Sequence, residues 1–132
     1  MNEIEEKAGL PKTPGYRYAK QVGNQLHVSG QVPQNETGVI VALSNPYKQA
    51  QQCLANLELL LNCHHFGKND IQHITIYVVG NRDNLNEAWK AVQTGFNNIV
   101  PPATLLGVAL LGHESQLVEI DAKIIKTGTN NQ

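Results

Sequence analysis

Charge of one sign is the first thing this chain lacks. Ten Lys and Arg stand against eleven Asp and Glu, a formal net charge of −1 over 132 residues. Only Arg17 and Arg82 carry guanidinium groups, too few for a phosphate-tracking surface, so neither nucleic acid nor an anionic membrane is an expected partner. No run of 18 apolar residues occurs, and the opening Met1-Asn2-Glu3-Ile4-Glu5-Glu6 is acidic without a signal-peptide core. A cytoplasmic location is the expectation. Cysteine is scarce too. Cys53 and Cys63 are ten apart on one expected helix, about 80° from each other around its axis and three turns distant, which excludes a disulfide between them within that helix. They read as small core residues rather than ligands or nucleophiles.

What is present reads as one domain over residues 1–132, long enough to bury roughly two-thirds of its unfolded surface. Residues 1–14 carry charges, Pro11 and Pro14 and little periodicity, so an irregular lead-in is expected. The polar end, Lys126 onward with 127–132 as a flexible tail, is expected to fray. Tyr16–Val22 and Gln25–Val32 read as strands around a Gly23-Asn24 turn. Val39-Ile40-Val41 is a candidate minor strand. A helix is expected from Pro46, capped by Asn45, with a stripe of Ala50, Cys53, Leu54, Leu57, Leu60, Leu61 and His64, stopping at Gly67. Ile71–Val79 alternates as a strand. A second helix, with Asn84 and Glu87 as a capping box, shows the stripe Leu85, Ala88, Trp89, Val92 and Phe96.

The last third holds Pro101–Leu111 and Leu117–Lys123, read as two antiparallel strands joined by residues 112–116. The first is apolar on both sides. The second alternates, with Val118, Ile120, Ala122 and Ile124 against Glu119, Asp121 and Lys123. If the apolar side packs on helices, Leu105, Ala109 and Leu111 share a face with the carboxylates. A second copy of the chain is the simplest cover for such a face. The order β-β-α-β-α-β-β gives an α+β fold, a two-layer sandwich of a mixed, largely antiparallel sheet with two helices on one face.

Glu119 and Asp121 lie about 7 Å apart on one strand face, a separation open to acid/base partnership, although such alternation is ordinarily a solvated face. His27 and Ser29 share a face but lack a third orienting group. His64-His65 beside Cys63 reads as a helix-end pair, because adjacent helical residues point about 100° apart and cannot both ligate one metal ion comfortably. Trp89 is either a core anchor or an aromatic pocket wall. His113 reads as a solvated loop residue. Gly30 and Gly107 mark bulges or close backbone approach.

Val28-Ser29-Gly30-Gln31-Val32-Pro33, the Pro101–Leu111 segment and Leu117-Val118-Glu119-Ile120-Asp121-Ala122, in this order, resemble the reactive intermediate deaminase (Rid, or YjgF) family from about Tyr16 to Lys123. The resemblance implies a chorismate-mutase-like fold and a homotrimer whose sheets form a central barrel, with three small-molecule clefts between subunits. It implies hydrolysis of 2-imino and enamino acids without cofactor or metal, with an arginine gripping the substrate carboxylate and a glutamate holding the attacking water. Aligned through Gly107-Val108-Ala109, the arginine position holds Ala103, the family's frequent cysteine corresponds to Leu105, and its helix asparagine corresponds to Trp89. Tyr16, Ser29 and Glu119 are retained. The expected cleft therefore holds Tyr16, Ser29, Trp89, Ala103, Leu105 and Glu119, with Glu119 alone nominated for catalysis. Losing the cationic partner of a carboxylate costs ~2–5 kcal/mol, so deaminase activity on 2-imino acids is expected to be weak or absent. The alternatives are a cofactor-independent hydrolase acting through Glu119 on another imine-like substrate, and, disfavoured by composition, RNA cleavage or translation inhibition. Arg82 of a neighbouring subunit is a second candidate to reach the cleft.

Overall fold

The computed structural model describes residues 1–127. Its elements run α1 Glu3–Lys7, β1 Ala19–Val22, β2 Gln25–Val28, α2 Pro46–Cys63, β3 Ile71–Val79, α3 Arg82–Gly95, β4 Ala103–Val108 and β5 Val118–Ile125, with one 3-10 turn at Lys68–Asp70. The strands form a single sheet in the order β1-β2-β5-β3-β4. All neighbours are antiparallel except β3 and β4. A parallel pair cannot be closed by a tight turn, and α3 supplies the required crossover.

The expected pairing of the last two strands is corrected by this order. β3 lies between β4 and β5, so the segment after β4 is a crossing loop and not a hairpin turn. The physical reason lies in burial. Val118, Ile120 and Ile124 of β5 need apolar neighbours on both sides, and the register gives Val118↔Val78, Ile120↔Ile76 and Ile124↔Leu26. β4, exposed along nearly its whole length, takes the edge.

Both long helices cover one face. Ala50, Cys53, Leu57 and Leu61 of α2 and Ala88, Ala91 and Val92 of α3 pack on Ile74, Ile76, Val78, Val118, Ile120 and Ile124. The expected stripes account for most of this core. Asn45 caps α2 as read, its side chain accepting from Lys48 N at 2.9 Å. The cap of α3 is Asn81 rather than Asn84, accepting from Asn84 N at 3.0 Å. Asn84 Nδ2 instead donates to Val79 O at 2.9 Å, and Gly80 must lack a side chain there, since a Cβ would meet that nitrogen at 2.3 Å.

The lead-in is not irregular throughout. α1 docks on the far end of α2 through a 2.5 Å contact between Glu5 Oε2 and His64 Nε2. Leu10, Tyr18 and Leu60 form a second apolar cluster nearby. Asn2, nearly fully buried, accepts from Tyr18 N and donates to Tyr16 O, both at 3.0 Å. At the other terminus Lys126 is tied down, N–H to Asn24 O at 2.7 Å and its ammonium 4.6 Å from the Phe66 ring. The rest of the expected tail, 128–132, lies outside the described residues. The run at 39–41 contributes an isolated bridge between Ile40 and Gln34 rather than a strand.

Gln49 fixes the approach to β5. Fully buried in α2, it donates to Val41 O at 3.2 Å and Ser115 O at 3.0 Å and accepts from Leu117 N at 2.7 Å. Gln49→Leu leaves those backbone groups without partners and is expected to lose about 2–4 kcal/mol of stability, read as a lower urea midpoint at constant slope; an unchanged midpoint contradicts this.

Candidate functional site

The strict alternation of β5 sends Val118, Ile120 and Ile124 under the helices and leaves Glu119, Asp121 and Lys123 on the opposite, open face. The two carboxylates then diverge. Asp121 Oδ2 accepts from Tyr77 Oη at 3.0 Å, across from it on β3. Glu119 turns the other way. Its Oε1 accepts from Gln116 Nε2 at 3.1 Å, and its Oε2 lies so close over Gly30 that a Cβ there would approach to 2.1 Å.

A register change places Gly30 beneath that oxygen. His27 pairs with Lys123, while the next contact is Gln31 with Ile120. Three residues, 28–30, thus lie between these pairs on one side and two, 121–122, on the other, a bulge of one residue at Ser29-Gly30. Gln31 N donates to Ile120 O at 2.7 Å and Ile120 N to Gln31 O at 3.1 Å, so the ladder resumes at once. Gly30 is therefore the close approach anticipated for it, whereas a Cβ at Gly107 would meet only ordinary contact, 3.8 Å from Val78 O.

Tyr16 borders the same place, lining a small cavity with Gly30 and Gln31. Its phenol is pushed above the usual value, mainly by burial and then by the Glu119 charge. Ser29 Oγ donates weakly to Tyr18 O at 3.4 Å, so it braces the bulge rather than meeting His27. Cys53 lies fully buried on the helix side, its thiol raised by burial and then by Glu119, and Cys63 is raised by burial and then by Glu5. Neither has thiolate character. No three His, Cys, Asp or Glu side chains gather as a metal site among the described residues.

The remaining candidates lie elsewhere. Ala103 pairs with Ile74 and Leu105 with Ile76, and paired residues share a face, so both stand on the helix side of the sheet. The expectation that Leu105 shares the carboxylate face is corrected: Thr104, Leu106 and Val108 do, beside Thr75, Tyr77 and Val79. Trp89 sits half-buried on α3 against the core. One chain thus holds two groups, Tyr16, Ser29, Gly30 and Glu119 at the β2–β5 bulge, and Trp89, Ala103 and Leu105 at the α3–β4 edge, separated by β3.

Three contributors were not visible as site residues in the sequence. Gln116 meets Glu119 across the turn into β5, outside any strand or helix period. His113, expected to be solvated, is half-buried, and its N–H donates to Gln116 Oε1 at 3.2 Å. Thr104 meets His73 Nε2 at 3.2 Å, which only the parallel β3–β4 register reveals. An open-face groove of about 570 Å³ runs along His73, Thr75, Tyr77, Asp121 and Lys123.

Comparison with known proteins adds a family. The profile described as endoribonuclease L-PSP matches residues 8–125. A RutC family protein of Pyrococcus horikoshii is 29% identical over 126 residues, 92% of this chain and 96% of that one. The crystal structure of a candidate endoribonuclease from Thermotoga maritima superimposes with a TM-score of 0.81 at 28% identity, covering 92% of this chain and 94% of the other. RidA from an Antarctic Psychrobacter shares the fold, TM-score 0.78 at 19% identity, covering 90% of this chain and 95% of that chain.

Two outcomes follow from this geometry. Gly30→Ala should cost about 1–3 kcal/mol through overpacking, and most of that should vanish in a Glu119→Ala background, a coupling that a double-mutant cycle of urea unfolding measures. Equal costs in both backgrounds would refute the contact. The phenols of Tyr16, Tyr18 and Tyr77 are all raised above 10.0, mainly by burial. The folded state therefore holds these protons more tightly than the unfolded chain, and their stabilising effect is intact below pH 10 and lost as pH rises beyond it. Tyr18→Phe should flatten that alkaline loss in thermal melts from pH 9 to 11.

Proposed function

We propose, for a chain that belongs to the endoribonuclease L-PSP family, the Rid/YjgF proteins, that it assembles as a homotrimer and binds a small metabolite lacking a carboxylate in clefts between subunits. The observation that carries this reading is the setting of Glu119. It is half-buried over Gly30 beside Tyr16, and among the described residues no ion pair reaches it. The separation of the two residue groups supports a cleft to which one subunit brings Tyr16, Ser29 and Glu119 and its neighbour brings Trp89, Ala103 and Leu105.

Such a cleft has an anionic end and an apolar end, without a guanidinium at position 103. A 2-imino acid would place its carboxylate there without a bidentate partner, at ~2–5 kcal/mol, or roughly 30- to 3,000-fold in affinity. A neutral or protonated imine without that group incurs no such penalty. The chemistry open to Glu119 is to accept a proton from a water that adds to the C=N carbon and return it to the nitrogen. The resulting carbinolamine then passes its hydroxyl proton to the nitrogen, the C–N bond breaks, and ammonia or an amine leaves a carbonyl product. No cofactor enters that scheme. RNA cleavage draws less support, since the net charge is −1 and Arg17 and Arg82 are the only arginines.

The test couples an amino-acid oxidase, as a source of 2-imino acids, to the protein, with an arginine-bearing family member as control. Wild-type protein should leave the background rate unchanged, and Ala103→Arg should raise affinity for 2-keto acids at least tenfold. A wild-type rate near the control would overturn the reading and point to Arg82 of a neighbouring copy as the carboxylate grip.

A further inference from the structure

We propose that Gln116 is the positioning residue of this site: it locks one oxygen of Glu119 and leaves Oε2, over Gly30, as the oxygen that meets the ligand or its water. This deepens the function proposed above and rests on Glu119 being the ligand-facing carboxylate. Gln116 is 3% exposed, and its amide has no freedom to flip. On one side stands the His113 N–H, which can only donate, 3.2 Å from Oε1. On the other stand the Val118 carbonyl and Glu119 Oε1, each 3.1 Å from Nε2, and a carbonyl can only accept. Both amide hydrogens are thereby assigned, one to Val118 and one to Glu119.

The loop carrying Gln116 is itself fixed, because Gln49 bonds both neighbours, Ser115 O and Leu117 N. The chain of fixed contacts therefore runs from α2 through residues 115–117 to one carboxylate oxygen. With Oε1 satisfied and a glycine below, Oε2 is the acceptor left for a hydrogen-bond donor, a water or the N–H of an imine or amine. The ionisable groups facing this arrangement are His113, whose Nδ1 is 3.3 Å from Gln116 Oε1, and Tyr16, Tyr77 and Cys53, each within electrostatic reach of Glu119.

The test reads the hydrogen bond and not turnover, so a chain inactive on every imine would leave it standing. The side-chain amide protons of Gln116 are followed by ¹H–¹⁵N NMR from pH 8 to pH 3 in the full-length protein. One of the pair should move as Glu119 is protonated, and that movement should disappear in Glu119→Gln and persist in Asp121→Asn. In a crystal structure of Gln116→Met, the Glu119 carboxylate should leave its place over Gly30. An amide pair indifferent to Glu119→Gln, or a carboxylate unmoved in Gln116→Met, overturns the proposal. Should that variant fail to fold, the comparison of wild type with Glu119→Gln still decides.

Discussion

A β-sheet has two faces, and this chain covers one. Every other feature follows from that imbalance. α2 and α3 bury the side carrying Ile74, Ile76, Val78, Val118 and Ile120, where the burial of apolar area supplies most of the stability. The reverse side carries His73, Thr75, Tyr77, Glu119, Asp121 and Lys123, with Leu106 at its border. Edge strand β4 is open as well, Leu105 and Leu106 each being 36% exposed. Unpaired strand edges and apolar side chains in water invite a partner of the same shape. On the proposed reading that partner is a second copy, and the ligand cleft is a consequence of the same contact.

The setting of Glu119 depends on backbone irregularity rather than on the regular ladder. A one-residue bulge puts Gly30 under Glu119, and a turn residue, Gln116, holds the other oxygen. A bulge bends the strand that carries it, and here it brings the backbone after β2 under a side chain of the regular β5 ladder. Asp121, two residues on in the regular ladder, has its outward geometry and a tyrosine partner.

Much of the fold was legible in period and caps. The 3.6-residue stripes of α2 and α3, the Asn45 cap and the alternation of β3 and β5 carry strong local signals, and they place the core. α1 was missed because five residues are too few to show a period. The neighbour of β5 was misread because sequence adjacency favours a hairpin, while burial of both flanks of β5 decides the order. The facing of β4 was misread for a related reason: a strand apolar on both sides has no parity of its own, and only its register with Ile74 and Ile76 settles which residues look inward. In the candidate site, alternation placed Glu119 on the open face, and the expected close approach at Gly30 is present. Gln116 and His113 had no local pattern to betray them, since their contacts cross a turn.

The most direct test of the central claim, that a neighbouring copy completes the cleft, is the mass of the protein in solution by sedimentation equilibrium. The account predicts a single species at three times 14.5 kDa, unchanged on dilution through the micromolar range. A species at 14.5 kDa under the same conditions would contradict it, because Glu119 and Ala103 would then never share a site.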